Sequence, residues 1–348
     1  MELKAFITGC AGKALSDAER ELFAAERPCG LILFARNVES PEQIRALVAS
    51  FREAVGSDDV LILIDQEGGR VQRLRSPHWR NMPPARCYGD LYASDPEGAK
   101  RAARAGARLI AAELHDVGIN VNCAPLIDVP QAGAHDIIGD RAFSTDPEVV
   151  IALGRAVMDG TLAGGVLPVI KHVPGHGRAM ADSHHALPRI DASKEDLKAV
   201  DFRPFQALHD APLAMTAHVV LPAFDQRPAT VSPVIMGQVI RDLMGLTGLV
   251  MSDDIGMKAL GGPFAERTRA VIEAGCDVVL HCSGKFSEMV EVAGAAPPLE
   301  GQAAERFAHA RACLHDPEPF DAAEAMALVS EAAATRVASL GPDPTVPA

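Results

Sequence analysis

The segment richest in chemical groups runs from Lys171 to His184 and reads KHVPGHGRAMADSH. It holds one lysine, three histidines and one aspartate together with two glycines and a proline. Glycines let a backbone bend and approach a ligand closely, so the string is typical of a loop that borders a binding pocket. Imidazole beside a carboxylate exchanges protons near neutral pH, and the segment therefore predicts acid-base chemistry.

A second candidate group is Asp253, which follows the apolar run 248–251 in the string MSDDIGM. Other apolar runs also end in polar groups, at Asp65, at Lys171 and His172, at His218 and at His281, and Asp128 lies just past the run 119–124. An ionised carboxylate in such a position can act as a nucleophile in covalent catalysis. The adjacent Asp254 is expected to point to the other side of the strand and to cap the following turn.

Eight short apolar runs alternate with amphipathic stretches along the chain, which predicts βαβ units and a parallel sheet. The runs cover residues 5–9, 30–35, 60–65, 119–124, 167–172, 212–218, 248–253 and 276–281. The predicted helices cover residues 41–54, 96–117, 147–163, 193–209, 232–243 and 265–274. Eight strands in this order favour an α/β fold of the (β/α)₈ TIM-barrel type, whose active site lies at the carboxyl ends of the strands. We expect one catalytic domain over residues 1–340, with a C-terminal helix, and a disordered tail over residues 341–348.

Four strings resemble the motifs of glycoside hydrolase family 3, and in particular those of its single-domain bacterial β-N-acetylhexosaminidases. They are KHVPGHG followed by ADSHH, IDQEGGRVQRL at 64–74, IGDRAFS at 138–144 and MSDDIGM at 251–257. The resemblance covers roughly the first 285 residues and also implies a barrel. One departure is Ile255-Gly256, where the family usually has Leu-Ser.

The resemblance implies a retaining exo-β-N-acetylglucosaminidase in which Asp253 is the nucleophile and His184, paired with Asp182, is the general acid and base. Sequence chemistry alone would instead name Glu67 as the acid, because most glycosidases use a second carboxylic acid. The matching family positions that bind the N-acetylglucosamine ring are Asp65, Arg73, Arg141, Lys171 and His172. Three histidines keep two interpretations each. His176 is a ligand or a loop anchor, His185 is a competitor of His184 or, as we expect, takes no part in the role, and His218 is a pocket or core residue.

Composition limits the partners of the protein. A net charge of −13 over 348 residues argues against a nucleic-acid binder, and no run approaches the length of a membrane span. The start of the chain lacks the features of a signal peptide, and the seven cysteines contain no CxxC pair, so we expect a cytoplasmic protein without cofactor or metal. The expected substrate is a small glycan, either an N-acetylglucosaminyl-anhydromuropeptide of peptidoglycan recycling or a chitooligosaccharide. Oligomeric state is not predicted.

Three alternatives remain at this stage. A β-glucosidase of the same family is the nearest, although such relatives usually carry a second domain. A metal-dependent hydrolase could use histidines 172, 176, 184 and 185 with Asp182. A catalytically silent sugar sensor would keep the binding residues and lose the nucleophile or the acid.

Overall fold

The eight predicted strands form a closed parallel barrel in the computed structural model, which describes residues 2–133, 136–179, 187–335, 343 and 345. The strands are β1 Lys4–Thr8, β2 Pro28–Leu33, β3 Leu61–Ile64, β4 Gln66–Gly68, β5 Val71–Gln72, β6 Val121–Asn122, β7 Leu167–Val173, β8 Leu213–Thr216, β9 Leu249–Asp254 and β10 Val278–His281. Around the barrel the order is β1, β2, β3, β6, β7, β8, β9 and β10, which pairs again with β1. The predicted (β/α)₈ fold is therefore confirmed.

The inside of the barrel is filled by alternate residues of each strand. Leu61 and Leu63 of β3, Leu167 and Val169 of β7, and Leu249 and Met251 of β9 belong to one buried apolar cluster. Side chains along a strand alternate between its two faces, so the next inward positions are residues 65, 171 and 253. The packing of the core thus decides which polar side chains reach the carboxyl end of the barrel.

Helices cover the outside of the barrel. They are α1 Asp17–Glu26, α2 Pro41–Val55, α3 Ala85–Tyr92, α4 Pro96–Asp116, α5 Pro147–Ala163, α6 Lys194–Asp196, α7 Arg203–Ala207, α8 Phe264–Ala274, α9 Phe286–Ala295, α10 Gly301–Ala312 and α11 Ala322–Ala334. Three long helices have proline at their first position. The residues before these prolines are N-caps: the side chains of Ser40, Asp95 and Asp146 each accept a backbone N–H of the first turn. The predictions over 41–54, 96–117, 147–163 and 265–274 are confirmed to within a residue at either end.

Two stretches that were predicted as α-helices contain π-helical segments. The stretch 193–209 divides into α6, a π-helical segment Leu197–Asp201 and α7. The stretch 232–243 is capped at Ser232, whose hydroxyl accepts the Ile235 N–H at 3.1 Å, and continues as the π-helical segment Ile235–Leu243. Apolar spacing alone does not separate α-helical from π-helical winding.

A short hairpin, β4 and β5, lies outside the barrel sheet and directly follows β3. Its turn uses Gly68 and Gly69, both with positive φ, the backbone region that glycine tolerates best. The hairpin carries Glu67 and returns the chain so that Arg73 lies beside Asp65. Within the described residues no helix is long and apolar enough to cross a membrane. The domain limit at residue 340 and the disorder of residues 341–348 stay predictions.

Candidate active site

A cavity of ≈ 620 Å³ lies at the carboxyl end of the barrel. Six of the eight residues predicted for the site line it, namely Asp65, Arg73, Arg141, Lys171, His172 and Asp253. They come from positions up to 188 residues apart in the chain, from Asp65 to Asp253, and the closure of the barrel brings them together. Such a volume is typical of a small-molecule site.

Lys171 is the centre of a buried ion network. Its ammonium donates to Asp65 Oδ1 at 2.9 Å and lies 2.7 Å from Glu67 Oε1, while its side chain is only 2% exposed. Burial by itself lowers the pKa of Lys171, but the two carboxylates outweigh burial and raise that pKa above its usual range. Burial likewise raises the pKa of Asp65, and Lys171 and Arg73 together hold it below its usual range. Both groups are therefore charged at neutral pH.

Glu67 is an ion-pair partner in this structure. Arg141 donates to it from Nε at 2.9 Å and from Nη2 at 2.8 Å, a two-pronged contact that fixes both side chains. Burial raises the pKa of Glu67, but Arg141 and Lys171 outweigh burial and lower it. A carboxylate held in this way is a poor proton donor, and Glu67 is not among the residues that line the cavity. The contacts of Glu67 therefore favour a structural ion-pair role over the role of the acid.

Arg73 contacts both the cavity and the C-terminal tail. Its Nη2 donates to Asp65 Oδ2 at 3.1 Å and to Thr345 Oγ1 at 2.8 Å, and its Nη1 pairs with the carboxylate of Asp343. Thr345 itself lines the cavity. Nothing in the sequence pattern indicated that these two residues would reach the site.

Asp128 is one of the polar groups expected near the carboxyl ends of the strands, but the sequence analysis gave it no role. Its carboxylate is fully buried, lies 2.8 Å from His172 Nδ1 and accepts the backbone N–H of His176 at 2.6 Å. Burial raises the pKa of Asp128, but His172 outweighs burial and lowers it. The contact orients the His172 ring and leaves its Nε2 for a ligand in the cavity.

Asp253 and Asp254 differ in their surroundings. The backbone N–H of Asp253 donates to Thr216 Oγ1 at 3.2 Å, and its Oδ1 accepts the N–H of Asp254 at 2.8 Å. Asp254 accepts the backbone N–H groups of Gly256 at 2.9 Å and Cys282 at 3.1 Å. The cap-like role expected for Asp254 is thus present, and both aspartates line the cavity.

Two histidines with open interpretations have distinct environments. His218 is fully buried between Thr230 Oγ1 at 2.8 Å and the carbonyl of Asp254 at 2.9 Å, so it is a core residue with both ring nitrogens bonded. His176 lines the cavity. Asp182, His184 and His185 lie outside the described residues. Within the described part, no three His, Cys, Asp or Glu side chains gather as a metal site would require.

A closed (β/α)₈ barrel with aspartates in a charged cavity at its mouth is typical of a barrel hydrolase, and comparison with known proteins agrees. The family model "Glycosyl hydrolase family 3 N terminal domain" matches residues 2–309. A beta-hexosaminidase of Alkalilimnicola ehrlichii is 42% identical over 287 residues, which are 81% of this chain and 82% of that protein. One of Chromobacterium violaceum is 38% identical over 301 residues, 85% of this chain and 84% of that protein.

Solved structures agree as well. Native NagZ from Neisseria gonorrhoeae superposes with a TM-score of 0.85 at 30% identity, and the match covers 97% of this chain and 99% of that chain. The chain therefore belongs to glycosyl hydrolase family 3. It is a glycoside hydrolase of the β-N-acetylhexosaminidase class.

Proposed function

We propose that this enzyme releases terminal, non-reducing N-acetylglucosamine with retention of configuration, through a covalent bond between the sugar and Asp253. The observation that carries the proposal is the position of the Asp253 carboxylate in one cavity with Asp65, Arg73, Lys171 and His172. A nucleophile and a set of sugar-binding groups must share a cavity for the reaction to occur at a defined carbon.

The reaction has two steps. An Asp253 oxygen attacks C1 while the glycosidic C1–O bond breaks, and the departing oxygen takes a proton from protonated His184. Neutral His184 then removes a proton from water, which attacks C1 and releases Asp253. Asp182 orients the imidazole and favours its protonated form. These two roles rest on the family motif ADSH.

The buried ion network would hold the sugar ring. Asp65 accepts hydrogen bonds from neighbouring hydroxyls, and Lys171, Arg73, Arg141 and His172 donate to ring substituents. Because Lys171 and Asp65 already pair at 2.9 Å, their positions are fixed before a ligand arrives, and little conformational entropy is lost on binding.

The proposed substrates are peptidoglycan-derived muropeptides that carry N-acetylglucosamine, within a cytoplasmic recycling reaction. Chitooligosaccharides are the other substrate class to be tested. NagZ from Neisseria gonorrhoeae has been solved with N-trifluoroacetyl-D-glucosamine, at a TM-score of 0.83 and 30% identity to this chain, which supports an N-acylglucosamine glycone. All seven cysteines are free thiols, which supports a reducing compartment.

The test of the nucleophile uses 4-nitrophenyl N-acetyl-β-glucosaminide. We expect Asp253→Ala to lower kcat by about 10³-fold or more, because no other group forms the bond to C1. Added azide should restore turnover and give the α-glycosyl azide, since azide attacks from the side that the carboxylate leaves empty. The matched control is Asp254→Asn, which we expect to retain turnover. Near-normal turnover of Asp253→Ala, or an inverted sugar product from the wild type, would refute the proposal.

The test of the substrate uses 4-nitrophenyl β-glycosides that differ only at C2. We expect kcat/KM to favour 2-acetamido over 2-hydroxyl, and equal values would indicate a β-glucosidase instead. Muropeptide and chitobiose are then compared at matched concentrations. Faster release from chitobiose would contradict the muropeptide assignment and leave the reaction type intact.

A further inference from the structure

His176 is unusual among the buried histidines of the described residues. His172 pairs with Asp128, His218 has both ring nitrogens bonded, and His281 pairs with Glu288 at 3.1 Å. His176 is 5% exposed, and neither Nδ1 nor Nε2 has a hydrogen-bond partner in the part of the chain that the structure describes. A buried polar group without a partner costs about 1–3 kcal/mol, so its retention indicates a partner that arrives with a ligand.

The backbone around His176 is fixed. Its N–H donates to Asp128 at 2.6 Å, and its carbonyl accepts the N–H of Ala179 at 3.0 Å. The next residue, Gly177, accepts the N–H of Gln131 at 3.0 Å, and a Cβ on Gly177 would lie 2.1 Å from the carbonyl oxygen of Val129. The imidazole is therefore presented by a close-packed loop.

His176 borders the reaction cavity, and both of its ring nitrogens are buried. His176 lines the same cavity as Asp253 and His172, and its ring centroid lies 5.9 Å from that of His172, with the planes tilted by 59°. Burial lowers the pKa of His176 to about 4, although Asp128 acts in the opposite direction. The ring is thus neutral at neutral pH, with one N–H donor and one nitrogen acceptor.

A neutral imidazole matches a hydroxyl group, which also offers one donor and an acceptor. We infer that His176 is a substrate-binding residue that exchanges a hydrogen bond with a hydroxyl of the bound sugar ring. The inference rests on the proposed function of the cavity and adds a contact to it. It assigns His176 to recognition in the ground state and the transition state, and gives it no part in proton transfer.

The test is a double-mutant cycle between the residue and the sugar. The wild type and His176→Phe are compared on 4-nitrophenyl N-acetyl-β-glucosaminide and on its 3-deoxy, 4-deoxy and 6-deoxy analogues. We expect the substitution to lower kcat/KM about tenfold on the parent glycoside. On the analogue that lacks the bonded hydroxyl it should cause almost no further loss, because the contact is already absent.

The control variants separate recognition from folding. His176→Asn keeps a donor and an acceptor, and we expect it to retain part of the activity on the parent glycoside; it carries the cycle if the phenylalanine variant does not fold. His209→Ala, at an exposed histidine, should behave as the wild type on all four glycosides. Equal losses on all four glycosides would overturn the inference, since a structural role shows no such coupling. Absence of wild-type turnover on the parent would instead overturn the proposed function.

Discussion

At the level of single residues, the site is a network of opposite charges that are buried together. Lys171 and Arg141 both contact Glu67, and Lys171 also contacts Asp65. Burial of any one of these charges alone would be costly, and the contacts offset that cost only as a set. Glu67 therefore supports the positions of two residues that we propose to bind sugar.

This arrangement gives a prediction for Glu67→Gln. The substitution keeps the shape and removes one negative charge, so Lys171 and Arg141 then face each other with less compensation. We expect the free energy of unfolding to fall by about 3 kcal/mol, measured by chemical denaturation. Glu148→Gln, in the exposed pair with Arg203 at 2.6 Å, should change it by less than about 1 kcal/mol. An unchanged stability with a collapse of kcat on poor leaving groups would argue for Glu67 as the acid.

The sequence predicted the site residues at the ends of strands. It did not predict which residues would pair with them. Asp65, Lys171 and Asp253 follow apolar runs, and alternation along a strand is enough to direct them inward. The partnership of Glu67 with Arg141, 74 positions apart, depends on how the hairpin packs against another loop. The position of Asp128 near the end of a strand was expected, but its role was not, because that role is defined by contacts with the chain near His172.

At the level of elements, the loop after β7 is tied to the π-helical segment Leu197–Asp201. Arg178 Nε donates to Asp201 Oδ2 at 2.7 Å, and among the described residues the other oxygen of Asp201 has no hydrogen-bond partner. Burial raises the pKa of Asp201 to about 6, although Arg178 lowers it. The carboxylate of Asp201 thus joins the loop after β7 to the helical layer around the barrel. Burial there disfavours the charged form of this carboxylate.

The pKa of Asp201 predicts a pH dependence of stability. Its folded pKa lies above the unfolded value of 3.8, so between about pH 4 and pH 6 the folded state binds more protons than the unfolded state. The stabilising effect of the protonated form is complete below the unfolded pKa and is lost as pH rises through the folded pKa.

We therefore expect the free energy of unfolding of the wild type, minus that of Asp201→Asn, to fall by up to about 2 kcal/mol between pH 4 and pH 7. Denaturation of both proteins at several pH values measures this difference. A difference that stays constant, or one that grows with pH, would show that Asp201 is not held in the way its contacts indicate.

Elements with strong patterns were predicted well, and those with weak patterns were not. The buried barrel strands read as continuous apolar runs, which parallel strands require because both faces are covered. Helices α1, α3, α9 and α10 were not assigned from the sequence, since they are short or follow closely on other elements. The π-helical segments were missed because the hydrophobic spacing changes little with one extra residue in a turn.

At the level of the whole molecule, the tail completes the charge balance of the site. The network of Asp65, Glu67, Arg73, Arg141 and Lys171 contains three positive and two negative side chains. Asp343 adds the third negative charge through its pair with Arg73, whose side chain is 1% exposed. The family match ends at residue 309, so this contact comes from a part of the chain outside the shared barrel.

Removal of residues 343–348 tests what the tail does to substrate binding. Asp343 and Thr345 occupy donors of Arg73 that we propose to bind the sugar, so a ligand must compete with a carboxylate tethered to the same molecule. If displacement of that ion pair costs about 1 kcal/mol, deletion should lower KM about fivefold and leave kcat within twofold. Asp343→Asn should give part of the same decrease, and Thr345→Val a smaller part. A rise in KM on deletion would mean that Thr345 and its neighbours form a wall of the sugar site, in which case the tail is a component of the binding pocket and not its competitor.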